Sequence, residues 1–123
     1  MATPERGAPE AITDNELRVA ATQMTPQRGA VDANVVQAEQ LVREGAAKDA
    51  ALIVLPEMFT SAAAFHQNMV KAIRPLDGAP AQLLEDMARK ENAIVGGSFL
   101  AEDAGRVYNA FSPRDAGWHD PAP

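Results

Sequence analysis

Ala51-Leu52-Ile53-Val54-Leu55-Pro56-Glu57-Met58-Phe59 decides how the rest of the chain is read. Its first five residues are apolar without alternation, the pattern of a strand covered on both faces, as in a parallel sheet. Pro56 lacks the N–H that a sheet ladder needs and stops the strand. Glu57 therefore leaves the sheet at a strand's carboxyl end, the edge where open α/β sheets gather their sites.

Working outward, Asp32 fits the N-cap of a preceding helix. Val35, Ala38, Val42 and Ala46 recur at helical spacing along it, flanked by Leu41, while Glu39, Gln40, Arg43 and Glu44 take the other side. The helix is expected to end between Gly45 and Asp49. Leu17 to Met24 reads as an earlier strand whose centre, Val19-Ala20-Ala21, suits burial on both faces. Downstream, Ala62-Ala63-Ala64 with Phe65, Met69 and Val70 suggests a short helix. Leu76-Asp77-Gly78-Ala79-Pro80 turns into a second helix, with Pro80 at its first position. Leu83, Leu84, Met87 and Ala88 give that helix its apolar face, and Asn92 suits a left-handed cap. Ala93 to Leu100 and Arg106 to Phe111 read as two more strands, joined by a hairpin loop at Glu102-Asp103-Ala104-Gly105. The order strand, helix, strand, helix, strand, strand predicts an α/β fold.

At 123 residues the chain is one domain, or part of one. Its 25 alanines leave few bulky apolar side chains, so the core is modest. A net charge of −6 with scattered Lys and Arg argues against nucleic acid and anionic membranes as partners. No apolar run approaches the length of a membrane span, and Met1 to Glu16 has neither a signal peptide's order nor any periodicity. That segment is expected to be a disordered tail, and the address cytoplasmic. The 12 residues from Ser112 to Pro123 include three prolines and lose periodicity, so 112–123 is expected to be an irregular tail. The sequence contains no cysteine, which excludes disulfides, thiolate metal sites and a thiol nucleophile.

Glu57 is the candidate for chemistry. Leu55, Met58 and Phe59 surround it in sequence, and desolvation by such neighbours would make a carboxylate a stronger base. Against this stands the ordinary solvated glutamate at the start of a loop. Gly96-Gly97-Ser98 lacks the endings of a phosphate loop and of a dinucleotide fold, and reads as a bend at a strand exit. Ser61, Ser98 and Ser112 sit in no nucleophile elbow. His66 and His119 lack metal-ligand spacing and read as surface residues, so no metal and no cofactor is expected. Trp118 is an orphan aromatic in a Pro-rich stretch.

The pieces RVAATQM, Asn34 in a helix, DAALIVLPEMF, LDGAP, NAIVGGSF and VYNA, in that order, resemble the nitrilase superfamily of carbon-nitrogen hydrolases. They span about residues 17 to 110, and the resemblance implies a partial carbon-nitrogen hydrolase domain over 17–111. It implies the first half of an αββα sandwich: one sheet with flanking helices, incomplete without a second sheet. It also implies hydrolysis of small nitriles or amides through a thioester on cysteine, at a site of glutamate, lysine and cysteine. Only the glutamate carries over, onto Glu57, where it would act as general base.

Beyond Tyr108-Asn109 the sequence departs from the family pattern. Lys48, Lys71 and Lys90 all precede that pair, so none matches the family's lysine, and no cysteine matches its nucleophile. The expectation is an N-terminal piece of such a hydrolase, or a truncated or frame-shifted reading of one, without turnover of its own. The alternatives are a non-enzymatic hydrolase-like module that binds an intact homologue, an unrelated ligand-binding domain using Gly96-Gly97, and a second chain that supplies lysine and cysteine. An uncovered inner sheet face would favour self-association.

Overall fold

The computed structural model describes residues 15–62 and 66–117. Along them run β1 (Val19–Ala21), α1 (Val31–Ala47), β2 (Leu52–Val54), a 3-10 helix (Gln67–Ala72), β3 (Arg74–Pro75), α2 (Ala79–Glu91), β4 (Ile94–Asp103) and β5 (Arg106–Arg114). The strands form one mixed sheet. β1 pairs parallel with β2, and β2 with β4, in the register Val19↔Leu52↔Ile94. β5 pairs antiparallel with β4 along its whole length, from Asp103↔Arg106 to Val95↔Arg114. β3, which the sequence did not announce, pairs parallel with β4 at Arg74↔Ala101. Val95 and Ala101 each have β5 on one side, so β2 and β3 share the other edge of β4.

Both helices cover the same face. Ala38, Val42 and Ala46 of α1 and Leu84, Met87 and Ala88 of α2 meet Ile53, Val95, Phe99 and Ala101 in one buried cluster with Leu55 and Phe59. Alanine supplies much of it, and Phe59 and Phe99 are its largest side chains. The small residues let helix and sheet approach closely: a Cβ added at Gly45 of α1 would lie 3.2 Å from Ala20 Cβ and 3.3 Å from Ile53. Among the described residues neither α1 nor α2 covers the other face of the sheet. Val19 on it is 49% exposed, Phe111 59%, and Leu52 and Val54 are half-buried. The strands read as covered on both faces are thus covered on one. Their unbroken apolar runs record a second cover that these residues do not provide.

Local details correct several expectations. α1 begins at Val31, and Asp32 lies inside the first turn with no side-chain capping bond, where its carboxylate still faces the positive end of the helix. α2 begins at Ala79, which puts Pro80 second, where its missing N–H costs no helical bond. Asn92 does take the left-handed conformation at φ 48°, its amide reaching back to Ala88 O and Arg89 O. The short helix expected around Ala62–Val70 is instead the 3-10 helix at Gln67–Ala72; Ala63, Ala64 and Phe65 lie outside the described residues. The hairpin turns at Ala104-Gly105, both at positive φ, the geometry whose twist matches the strands it joins.

Gly96-Gly97 is no bend. Both glycines sit inside β4, Gly96 paired with Val54 and Pro113, Gly97 with Ser112. Each admits an aromatic ring: a Cβ at Gly96 would come within 2.8 Å of Phe111 Cζ, and one at Gly97 within 2.9 Å of Phe59. The irregular segment expected from Ser112 is corrected too, because Ser112-Pro113-Arg114 continue β5. Pro113 is tolerated because β5 is an edge strand, where a missing donor breaks no ladder. The expected tails otherwise fall at 1–14 and 118–123, outside the described residues, as do Trp118 and His119.

Candidate active site

Glu57 stands two residues beyond Leu55, in the loop that follows β2. That loop is fastened to β4 at three points. The Leu55 N–H donates to Gly96 O at 2.8 Å, and the Phe59 N–H to Ser98 O at 3.1 Å. Between them the Met58 N–H donates to Ser98 Oγ at 2.9 Å. Met58 itself takes φ 52°, uncommon for a residue with a side chain. The buried Ser98 hydroxyl thus helps hold a sharp turn whose preceding residue is Glu57.

The loop is braced from behind by Asn34. This asparagine is fully buried on α1, in an otherwise apolar stripe. Its Oδ1 accepts from the Gln27 N–H at 2.7 Å. Its Nδ2 donates to Gln27 O at 2.7 Å and to Thr60 O at 2.8 Å. One side chain therefore ties the loop after β1 to the loop carrying Glu57. A buried amide with these bonds made is rigidifying, and losing them would leave backbone groups unsatisfied.

Glu57 lines an open cavity of about 350 Å³ on the sheet face opposite α1 and α2. Val54, Leu55, Ser98, Asn109 and Phe111 line it with Glu57. Asn109 Nδ2 donates to Glu57 Oε1 at 2.7 Å. The two residues are 52 positions apart and come together because β5 folds back along β4. Glu57 remains exposed, so these residues alone do not give it the apolar enclosure expected from its neighbours in sequence. Phe59 packs against Gly97 on the helix side, and Met58 is half-buried outside the cavity lining, so neither shapes this pocket. Lys48, Lys71 and Lys90 do not line it either. Lys90 instead borders a smaller groove of about 170 Å³ between α1 and α2, on the far side from Glu57.

His66, read as a surface residue, is half-buried, with Nε2 3.0 Å from Ser61 O. Among the described residues no cluster of His, Asp and Glu could hold a metal ion. Asn34, Ser98 and Asn109 are the residues whose work at this site the spacing of the sequence did not reveal. For Asn34 the signal was a polar residue inside an apolar helical stripe. For Ser98 it was a hydroxyl in an otherwise apolar strand.

A mixed sheet with helices on one face, a glutamate leaving β2 at its carboxyl end and a strand folded back to meet it make an α/β architecture with a candidate carboxylate site. The sequence profile described as Carbon-nitrogen hydrolase matches residues 18–112, and the chain belongs to that family. It is 34% identical over 101 residues to the omega-amidase NIT2 of Danio rerio, covering 80% of this chain and 35% of that protein. It is 29% identical over 97 residues to a nitrilase of Pyrococcus abyssi, covering 76% of this chain and 37% of that one. The chain thus spans little more than a third of the length of these relatives. Among solved structures, the CN-hydrolase superfamily protein XC1258 of Xanthomonas campestris shares its fold at a TM-score of 0.71 and 24% identity, over 81% of this chain and 37% of that one. Nit3 of Saccharomyces cerevisiae, described as a member of branch 10 of the nitrilase superfamily, matches at 0.69 and 25%, over 81% and 40%. No helix among the described residues is long and apolar enough to cross a membrane.

Proposed function

We propose that this chain supplies the general-base glutamate, Glu57, and the first sheet of a carbon-nitrogen hydrolase acting on small amides or nitriles. The reading rests most on one observation: Glu57, at the carboxyl end of β2, has Oε1 held by Asn109 beside a cavity on the uncovered sheet face. The names of its relatives, an omega-amidase and a nitrilase, give the substrate class.

In this reaction a thiol attacks the amide or nitrile carbon. Glu57 takes the thiol proton as the C–S bond forms. For an amide, the proton passes to the departing nitrogen as the C–N bond breaks. The carboxylate then takes a proton from the water that opens the thioester, releasing acid and restoring the thiol. A cation beside the substrate stabilises the charge that develops on it. The 123 residues contain no cysteine, and none of their lysines lines the Glu57 cavity, so the thiol and the cation come from another segment or polypeptide. Without them the chain has no covalent route. In a serine protease, loss of the nucleophile costs on the order of a millionfold, or about 8 kcal/mol in the barrier.

The test is ammonia release from a panel of small amides and nitriles by the purified 123-residue chain. No release above buffer is expected. Release that scales with chain concentration would overturn the claim that thiol and cation come from elsewhere, and release that also survives Glu57→Gln would overturn the base role.

A further inference from the structure

Asn109 reaches Glu57 from a different part of the chain, and its place is set by the sheet. It pairs with Leu100 in the β4–β5 register, which puts it on the uncovered face with Ser98 and Phe111. Its flanking positions on that face, Val107 and Phe111, are apolar and about half exposed. Strand pairing needs only the Asn109 backbone, so its polar side chain is not explained by the ladder. What that side chain does is donate from Nδ2 to Glu57 Oε1 at 2.7 Å.

A primary amide suits this task. It donates at every pH at which the protein folds, because it does not titrate. It carries no charge, so unlike lysine or arginine it holds a carboxylate without neutralising it. A bond donated to one carboxylate oxygen fixes the orientation of the group and the direction of its free lone pairs.

The geometry points to Asn109 as the positioning residue of Glu57: it occupies Oε1 and leaves Oε2 as the oxygen that accepts a proton. This inference rests on the general-base role proposed above. It adds an assignment of work within the carboxylate, one oxygen for orientation and one for chemistry.

The experiment uses the full chain and needs no turnover. Carbodiimide with an amine converts carboxyls whose oxygens are free to attack it into amides, and peptide mass spectrometry reads the rate at each residue. Glu57 is compared with Glu44, an exposed residue on α1. With Asn109→Leu, Glu57 labelling is expected to rise about threefold to tenfold while Glu44 stays unchanged. Asn109→Asp, which keeps size and polarity should leucine disturb the strand, removes the Nδ2 donor and is expected to raise Glu57 labelling in the same way. Glu57 rates unchanged in both variants overturn the inference. So does a parallel rise at Glu44, which reports a loosened fold instead of a lost bond. If Glu57 labelling responds as expected but a hybrid enzyme, in which residues 18–112 replace the matching segment of a full-length omega-amidase relative, keeps its activity with Glu57→Gln, the base role fails and the Asn109 pairing stands. Unchanged labelling with a hybrid that does need Glu57 removes Asn109 alone.

Discussion

The two faces of the sheet are built from the same strands and differ in almost everything else. On the helix side, Ile53, Val95 and Phe99 are wholly buried among α1, α2 and the loop after β2. On the other side, Val54 is half-buried, and Val19, Val107 and Phe111 stand about half exposed. The covered face holds the fold together. The uncovered face carries Glu57, Asn109 and the cavity. Apolar side chains on both faces of one strand fit a sheet that is covered on both.

Substitutions on opposite faces should therefore have unequal consequences, measurable by denaturant unfolding of the full chain. The largest effect is expected from Phe99→Ala, which removes a fully buried ring and should cost about 3–5 kcal/mol, enough to unfold a marginal domain. Phe111→Ala, across the sheet, should cost less than about 1 kcal/mol. Equal losses at the two sites would erase the contrast between the faces. Next comes Asn34→Ala, which strands the Gln27 and Thr60 backbone groups and should cost about 2–3 kcal/mol. A loss below about 0.5 kcal/mol would show that this brace is not needed.

The adjacent glycines of β4 give a finer comparison. Gly97→Ala drives a methyl into the buried Phe59 ring and should cost about 1–3 kcal/mol. Gly96→Ala meets only the exposed Phe111 ring, which can swing away, and should cost less than half as much. The reverse order would mean that the uncovered face is the tighter one. The uncovered face also bears on association. Sedimentation velocity should show the wild-type chain associating as concentration rises, through its uncovered face, with Phe111→Lys weakening this by about tenfold. A wild-type chain that stays monomeric over the whole range would contradict the link between that face and association.

Much of this was legible in the sequence because periodicity reports burial. The apolar stripe of α1, the ALIVL strand, the left-handed Asn92 and the order of elements follow from spacing and capping alone. Other features depend on contacts between distant segments, which spacing does not encode. β3 is two residues long and exists because β4 runs past the end of β2 and offers it a free edge. Ser112-Pro113-Arg114 look irregular in sequence, yet pairing with Val95, Gly96 and Gly97 holds them in β5. The glycine pair reads as a bend until Phe59 and Phe111 are seen to need its missing side chains. At the site, Glu57 was legible through its place after a buried strand. Asn109 was quoted only as part of a motif, and its hydrogen bond arises from the hairpin that brings it back across 52 residues.

The central claim is that Glu57 is a general base presented on a sheet face that another segment completes. Its most direct test is a hybrid enzyme in which residues 18–112 replace the matching segment of a full-length omega-amidase relative, which then supplies the remaining site residues. The measurement is the initial rate of ammonia release by the hybrid with Glu57 and with Glu57→Gln. The account predicts an active hybrid and a loss of about 10²–10⁴-fold on the substitution. An active hybrid whose rate is the same with glutamine at that position would contradict it.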